Sequence, residues 1–215
     1  GTSSLYNNTT GNTNTATGYQ SLYSNTTASN NTAVGYQAAY SNTTGAVQAF
    51  GYQASYSNTT GTNNTAVGSK ALYTNTIGRY NVGVGAYALR SNTTGNSNTA
   101  IGRSALYSNT TGSFNTSLGR DALISNTEGI ANTGLGGNVL FLNTTGSANC
   151  ALGIGALSDN GFPPTTYSSV SNAWSNYSYA IHHFSNFARH YQNKTLNESL
   201  PHPPRGRRHD RNHHL

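Results

Sequence analysis

Asn-Thr-Thr occurs at Asn8, Asn25, Asn42, Asn58, Asn92, Asn109 and Asn143, and each triplet is an acceptor pattern for an N-linked glycan. A glycan on the side-chain amide belongs in an exposed turn, the setting that Asn and Thr favour. Turn composition alone also produces such triplets. The related Asn75 and Asn126 are followed by Ile77 and Glu128 at the third position and fall outside the pattern. No catalytic set gathers anywhere. Up to residue 161 the acids are Asp121, Glu128 and Asp159, and all seven histidines lie beyond it. Paired carboxylates, a Ser-His arrangement and a phosphate loop are missing, so a non-enzyme with no catalytic residue is expected. Cys150 stands where other copies carry Thr and is expected as a small residue inside a coil. His182-His183, His190, His202, His209 and His213-His214 have no metal-site spacing, and neither a metal nor a cofactor is expected.

The element that carries the triplets is a unit of 17 residues, repeated nine times between Ser3 and Gly161. Its marker is the Asn of the turn, at 8, 25, 42, 58, 75, 92, 109, 126 and 143, with gaps of 17 except for one of 16. A chain built from one short self-similar unit stacks its copies and buries core only between neighbours. The marker Asn is never replaced, which predicts an amide ladder, each side chain bonding those above and below. Gly18, Gly35, Gly51, Gly68, Gly85, Gly102, Gly119, Gly136 and Gly153 hold one phase in every copy, as turns needing positive φ or lacking room for Cβ require.

Within each unit two strand-like runs are expected to alternate with two turns. In the first run, Asn-Thr-Ala-Val-Gly at Asn64–Gly68, the fourth position is Thr17, Val34, Phe50, Val67, Val84, Ile101, Leu118, Leu135 or Leu152. That apolar position is assigned to the interior. The small residue before it (Ala16, Ala33, Ala49, Ala66, Gly83, Ala100, Ser117, Gly134, Ala151) then points outward, where another chain's backbone could approach. The second run carries Ala-Leu-Tyr, with leucine filling the interior and tyrosine stacking on its equivalents one rung away. It is also assigned as strand. The missing residue near Val47 is expected to be absorbed in a turn. The fold class is therefore all-β, a parallel β-solenoid (β-roll) of about nine 17-residue coils over residues 1–161.

Strings such as Asn64-Thr65-Ala66-Val67-Gly68, with Ala-Leu three residues on, resemble the head repeat of YadA-type trimeric autotransporter adhesins and related viral and bacterial surface fibres. The resemblance covers residues 3–161 and implies a β-roll in which three chains pack around a common axis. It also implies an extracellular, adhesive or structural role.

Only 7% of the residues are charged, too few for an ordinary soluble surface, yet the regular apolar phase excludes plain disorder. No apolar run of about 18 residues exists, so no membrane-spanning helix is expected. Residues 162–215 form a second, His- and Arg-rich segment, expected to be disordered or a short helical cap. Pro163-Pro164 is expected to end the strand ladder. Trp174, Tyr177, Ile181, Phe184, Ala188 and Tyr191 form an apolar helical seam at spacings of three and four. Arg205-Gly206-Arg207-Arg208 is a basic cluster, but nucleic acid is not expected as a partner.

These residues favour a structural subunit of an extracellular fibre or adhesin stalk. Its partners would be copies of itself in a filament or trimer, with covalent glycans or a host-surface ligand besides. An ice-binding β-solenoid and a tail-fibre receptor-binding protein are the alternatives. For the former, the adjacent Thr9-Thr10 and Thr26-Thr27 pairs would point to opposite faces of a strand.

Overall fold

A computed structural model describes residues 1–158 and 173–174. Its regular elements are β1 (Thr15–Thr17), β2 (Thr32–Val34), β3 (Val47–Phe50), β4 (Asn64–Val67), β5 (Val82–Val84), β6 (Thr99–Ile101), β7 (Thr116–Leu118), β8 (Thr133–Leu135), β9 (Cys150–Leu152) and β10 (Ala173–Trp174). All ten strands are parallel and pair in sequence order. Each pairs one unit with the next, as Thr99, Ala100 and Ile101 do with Thr116, Ser117 and Leu118. The fold is the all-β parallel solenoid that the repeat calls for, with no helix among the described residues.

The short unit near Val47 is accommodated between Gly45 and Val47, where the turn has one residue fewer. Gly51 and Asn58 rejoin the columns, and β3 and β4 pair in register from Val47↔Asn64 to Phe50↔Val67.

Several local expectations are overturned. The strand is inverted: Ala33, Ala49, Ala66, Ala100, Ser117 and Ala151 are buried, whereas Val34 is 37% exposed, Ile101 40% and Leu118 44%. The coil is too flat for anything larger inside the strand wall. A Cβ built on Gly134 would lie 3.0 Å from Val139 Cγ1 and 3.4 Å from Leu123 Cδ1 on the facing wall. What approaches the small residues is thus the chain's own facing wall, its backbone included, as Ala88 O would lie 3.3 Å from a Cβ on Gly83. Cys150, in a neighbouring column of the strand, is likewise exposed rather than inside a coil.

The second run is not a strand. Adjacent residues Ala105 and Leu106 are both fully buried, which a pleated strand would forbid by sending them to opposite faces. The backbone instead alternates in hand: Gly102 has φ 135°, Ser104 56° and Leu106 51°. The same turn recurs at Gln20 and Leu22, Lys70 and Leu72, and Asp121 and Leu123. Left-handed conformation costs a non-glycine residue roughly 1–2 kcal/mol. In return, two side chains per rung enter the core and the run still bonds to both neighbours. Leu106 N–H donates to Ala122 O at 3.0 Å, and Ser104 N–H to Ala86 O at 2.9 Å.

The strand ladder also continues past Pro163-Pro164. Ala173 and Trp174 pair in parallel with Ala151 and Leu152, so this part of the expected helical seam is strand. The rest of the seam, the histidines, Asp159 and Arg205–Arg208 lie outside the described residues.

Candidate functional site: ladders and faces

The marker asparagines sit where the first turn folds into the coil, and their amides join every rung. Asn25 Nδ2 donates to Asn8 Oδ1 at 2.6 Å, Asn75 to Asn58 at 2.8 Å, Asn92 to Asn75 at 2.7 Å, Asn109 to Asn92 at 2.8 Å and Asn126 to Asn109 at 2.8 Å. The amides of Asn42, Asn58 and Asn143 continue the series. The second amide hydrogen closes the turn, as from Asn109 to Gly112 O at 2.9 Å.

This geometry corrects the glycan assignment. Asn25, Asn42, Asn58, Asn92 and Asn109 are fully buried and Asn143 nearly so. Their Nδ2 atoms face neighbouring carbonyl oxygens inside the coil, so a sugar there has no space and would break the ladder. Asn8, on the first rung, is half-buried, and its amide is committed to Gly11 O at 3.0 Å.

The glycine columns set how closely rungs approach. A Cβ on Gly102 would stand 2.4 Å from Gly119 O, at a φ that already disfavours any side chain. Gly18, Gly35, Gly51, Gly68, Gly85, Gly119, Gly136 and Gly153 share its positive φ.

A second amide ladder was not anticipated from the sequence. Asn98 Oδ1 accepts from the Asn115 N–H at 3.0 Å and from Asn115 Nδ2 at 3.1 Å, while Asn98 Nδ2 donates to Gly112 O at 2.8 Å. Its column, Asn14, Asn31, Asn64, Asn81, Asn98, Asn115, Asn132 and Asn149, is broken only by Val47. Recurrence in eight of nine copies was the available signal. Threonine adds a third column, in which Thr93 Oγ1 donates to Thr110 O at 3.1 Å.

No family model, curated protein or solved structure matches this chain. Among the described residues, two surfaces carry columns of like side chains.

The outward face of the sheet carries two columns. One is Thr15, Thr32, Gln48, Thr65, Val82, Thr99, Thr116, Thr133 and Cys150; the other is Thr17, Val34, Phe50, Val67, Val84, Ile101, Leu118, Leu135 and Leu152. Neither contains a charge.

The opposite wall carries tyrosine ladders. Tyr6, Tyr23, Tyr40, Tyr56 and Tyr73 stack with centroids 5.1–5.3 Å apart, and Tyr19, Tyr36 and Tyr52 stack at 5.3 and 5.4 Å. Between them Gln37 Nε2 donates to Gln20 Oε1, and Gln53 Nε2 to Gln37 Oε1, each at 2.9 Å. Burial, and then the neighbouring hydroxyls of Tyr40, Tyr73 and Tyr36, push the Tyr56 hydroxyl above the ordinary tyrosine value. From rung to rung along this wall, aromatics give way to cations. Lys70 Nζ lies 5.8 Å from the Tyr52 centroid and 5.6 Å from that of Tyr73. Arg90 Cζ lies 5.6 Å from Tyr73 and 5.4 Å from Tyr107.

Proposed function

We propose that the protein is a structural subunit of an extracellular fibre or adhesin stalk that self-assembles through the outward face of its sheet. The observation that carries this is the exposed apolar column Val34, Phe50, Val67, Ile101, Leu118 and Leu152. Contiguous apolar surface of this kind marks an interaction site. A second copy is the natural occupant because its side chains repeat at the same rung spacing and meet no opposing charge.

The face alone is small for a stable interface. Nine rungs at about 4.8 Å and a width of about 10–12 Å give roughly 450 Å². That is near half of the ~800 Å² per partner in a standard stable interface. Around a three-fold axis each copy divides this face between two neighbours, and the columns flanking it supply the remaining contact. The likeness of the repeat to adhesin heads points the same way.

Analytical ultracentrifugation and electron microscopy test this. The expected result is trimers or filaments for the native chain, and monomers with unchanged β-type circular dichroism for Ile101→Asp/Leu118→Asp. A native chain that stays monomeric at high concentration would refute it.

Ice binding is supported by one observation. Thr32, Thr65, Thr99, Thr116 and Thr133 stand in a rank on the flat outward face, beside aliphatic side chains. The adjacent Thr-Thr pairs of the turns are not involved. Thermal hysteresis of a monomeric preparation would support this second reading, and its absence would remove it.

A further inference from the structure

Charge is segregated along the chain. Residues 2–69 contain no charged side chain, and those among the described residues all fall between Lys70 and Glu128. Lys70, Arg90, Arg103 and Arg120 lie on four consecutive rungs, all on the tyrosine-bearing wall, one per Gly-initiated turn run. Lys70 reaches the rings of both Tyr52 and Tyr73, so the wall's columns are side by side. Arg103 and Arg120 continue the column that begins Tyr19, Tyr36 and Tyr52. Both are exposed. The one carboxylate on this wall, Asp121, is engaged by Arg120 Nε at 2.8 Å. Lys70, Arg90 and Arg103 have no acidic partner among the described residues.

We propose that this cationic stretch binds a linear acidic polysaccharide lying along the solenoid axis. The unpaired Lys70, Arg90 and Arg103 span two rung spacings, about 10 Å. A polyuronate presents one carboxylate per sugar ring, at a repeat comparable to one rung, so consecutive cations meet consecutive anions. Arginine and lysine held over tyrosine rings are partly pre-ordered, which lowers the entropy of engaging an anion.

The geometry disfavours single-stranded nucleic acid as occupant. Such sites draw affinity from bases stacking on open aromatic faces. Here Tyr73 has Lys70 and Arg90 over its ring, and Tyr107 lies under Arg90, whose Nη1 also donates to its hydroxyl at 3.1 Å. Tyr87 meets Tyr107 edge-on at 6.5 Å, and one ring makes no stacking track. The inference does not depend on fibre assembly, since a single chain carries the whole stretch.

The repeat supplies its own benign substitutions. Lys70→Gln, Arg90→Tyr and Arg103→Ser each install a residue that the same column carries on another rung: Gln53, Tyr73 and Ser69. Binding of the full chain to alginate, neutral dextran and oligo-dT is measured at low and high salt. The native chain is expected to bind alginate, to lose it as salt screens the contacts, and to ignore dextran. The triple variant is expected to bind alginate about tenfold more weakly or worse. A chain with Arg205, Arg207 and Arg208 changed to Ser is expected to retain most of the affinity. Undiminished binding by the triple variant, loss only in the Arg205/Arg207/Arg208 variant, equal binding to dextran, or preference for oligo-dT would each overturn the proposal.

Discussion

Replacing Asn92 by Ala separates the two roles that its triplet offers. Asn92 is fully buried, donates to Asn75 Oδ1 at 2.7 Å and Gly95 O at 3.0 Å, and accepts from Asn109 Nδ2 at 2.8 Å. Each bond is worth about 1 kcal/mol net, and a buried polar atom left without a partner costs about 1–3 kcal/mol. Gly95 O keeps its bond from Asn81 at 2.8 Å and Asn109 keeps its bond to Gly112 O at 2.9 Å, so the orphaned group is Asn75 Oδ1. Three lost bonds and one orphaned oxygen sum to about 4–6 kcal/mol. For a chain of this length that lowers Tm by roughly 8–24 °C. Thr94→Ala removes the same glycan acceptor pattern, yet Thr94 is exposed, and its change should stay within about 0.5 kcal/mol. Thermal unfolding followed by circular dichroism compares the two. Equal stability of the two variants, or a large loss from Thr94→Ala, would refute the ladder as the reason for the invariant Asn.

Other perturbations should sort as sharply in the same assay. Gly102→Ala should prevent a stable stack, because its Cβ would stand 2.4 Å from Gly119 O at φ +135°, whereas Gly137→Ala meets only Arg120 O at 3.8 Å and should be tolerated. Leu106→Ala in the core should cost about 2–5 kcal/mol, against under about 1 kcal/mol for Leu118→Ala on the outward face of an isolated chain; similar losses would restore the opposite strand orientation. Ser55 Oγ is buried without a hydrogen-bond partner, so Ser55→Ala should raise stability by about 1 kcal/mol or more. The raised Tyr56 value acts only in alkali: above the unfolded value near 10 the unfolded chain releases its proton first, so stability falls as pH climbs. Tyr56→Phe should flatten that decline, and an unchanged slope would dissociate it from Tyr56.

What was legible in the sequence was whatever repeats in columns. The Asn ladder, the inward leucines and the tyrosine stacks each follow from one residue type held at one phase, because stacked rungs place equivalents in contact. Strand orientation was harder, since a period of two defines two faces without saying which is inside. Size variation held the answer. The position of Ala33, Ala66 and Ala100 never exceeds a methyl or hydroxymethyl, while that of Thr17, Phe50 and Leu118 varies widely, as a close-packed interior would not allow. The left-handed turn run was obscured because leucine ordinarily avoids that conformation. Its trace was the adjacent Ala-Leu pair, apolar at consecutive positions. The buried glycan triplets show the limit of local pattern, since acceptor chemistry is written in three residues and burial in the next coil.

Parallel rungs crossing the axis also define a mechanical response. A load pulling the ends of the stack apart acts along the inter-rung hydrogen bonds, so they open one seam at a time instead of shearing together. Each opened seam frees 17 residues, about 55–60 Å of extended chain in place of about 4.8 Å of rod. Such a rod lengthens more than tenfold under tension while its remaining rungs keep their structure, and it recoils by re-forming one seam after another.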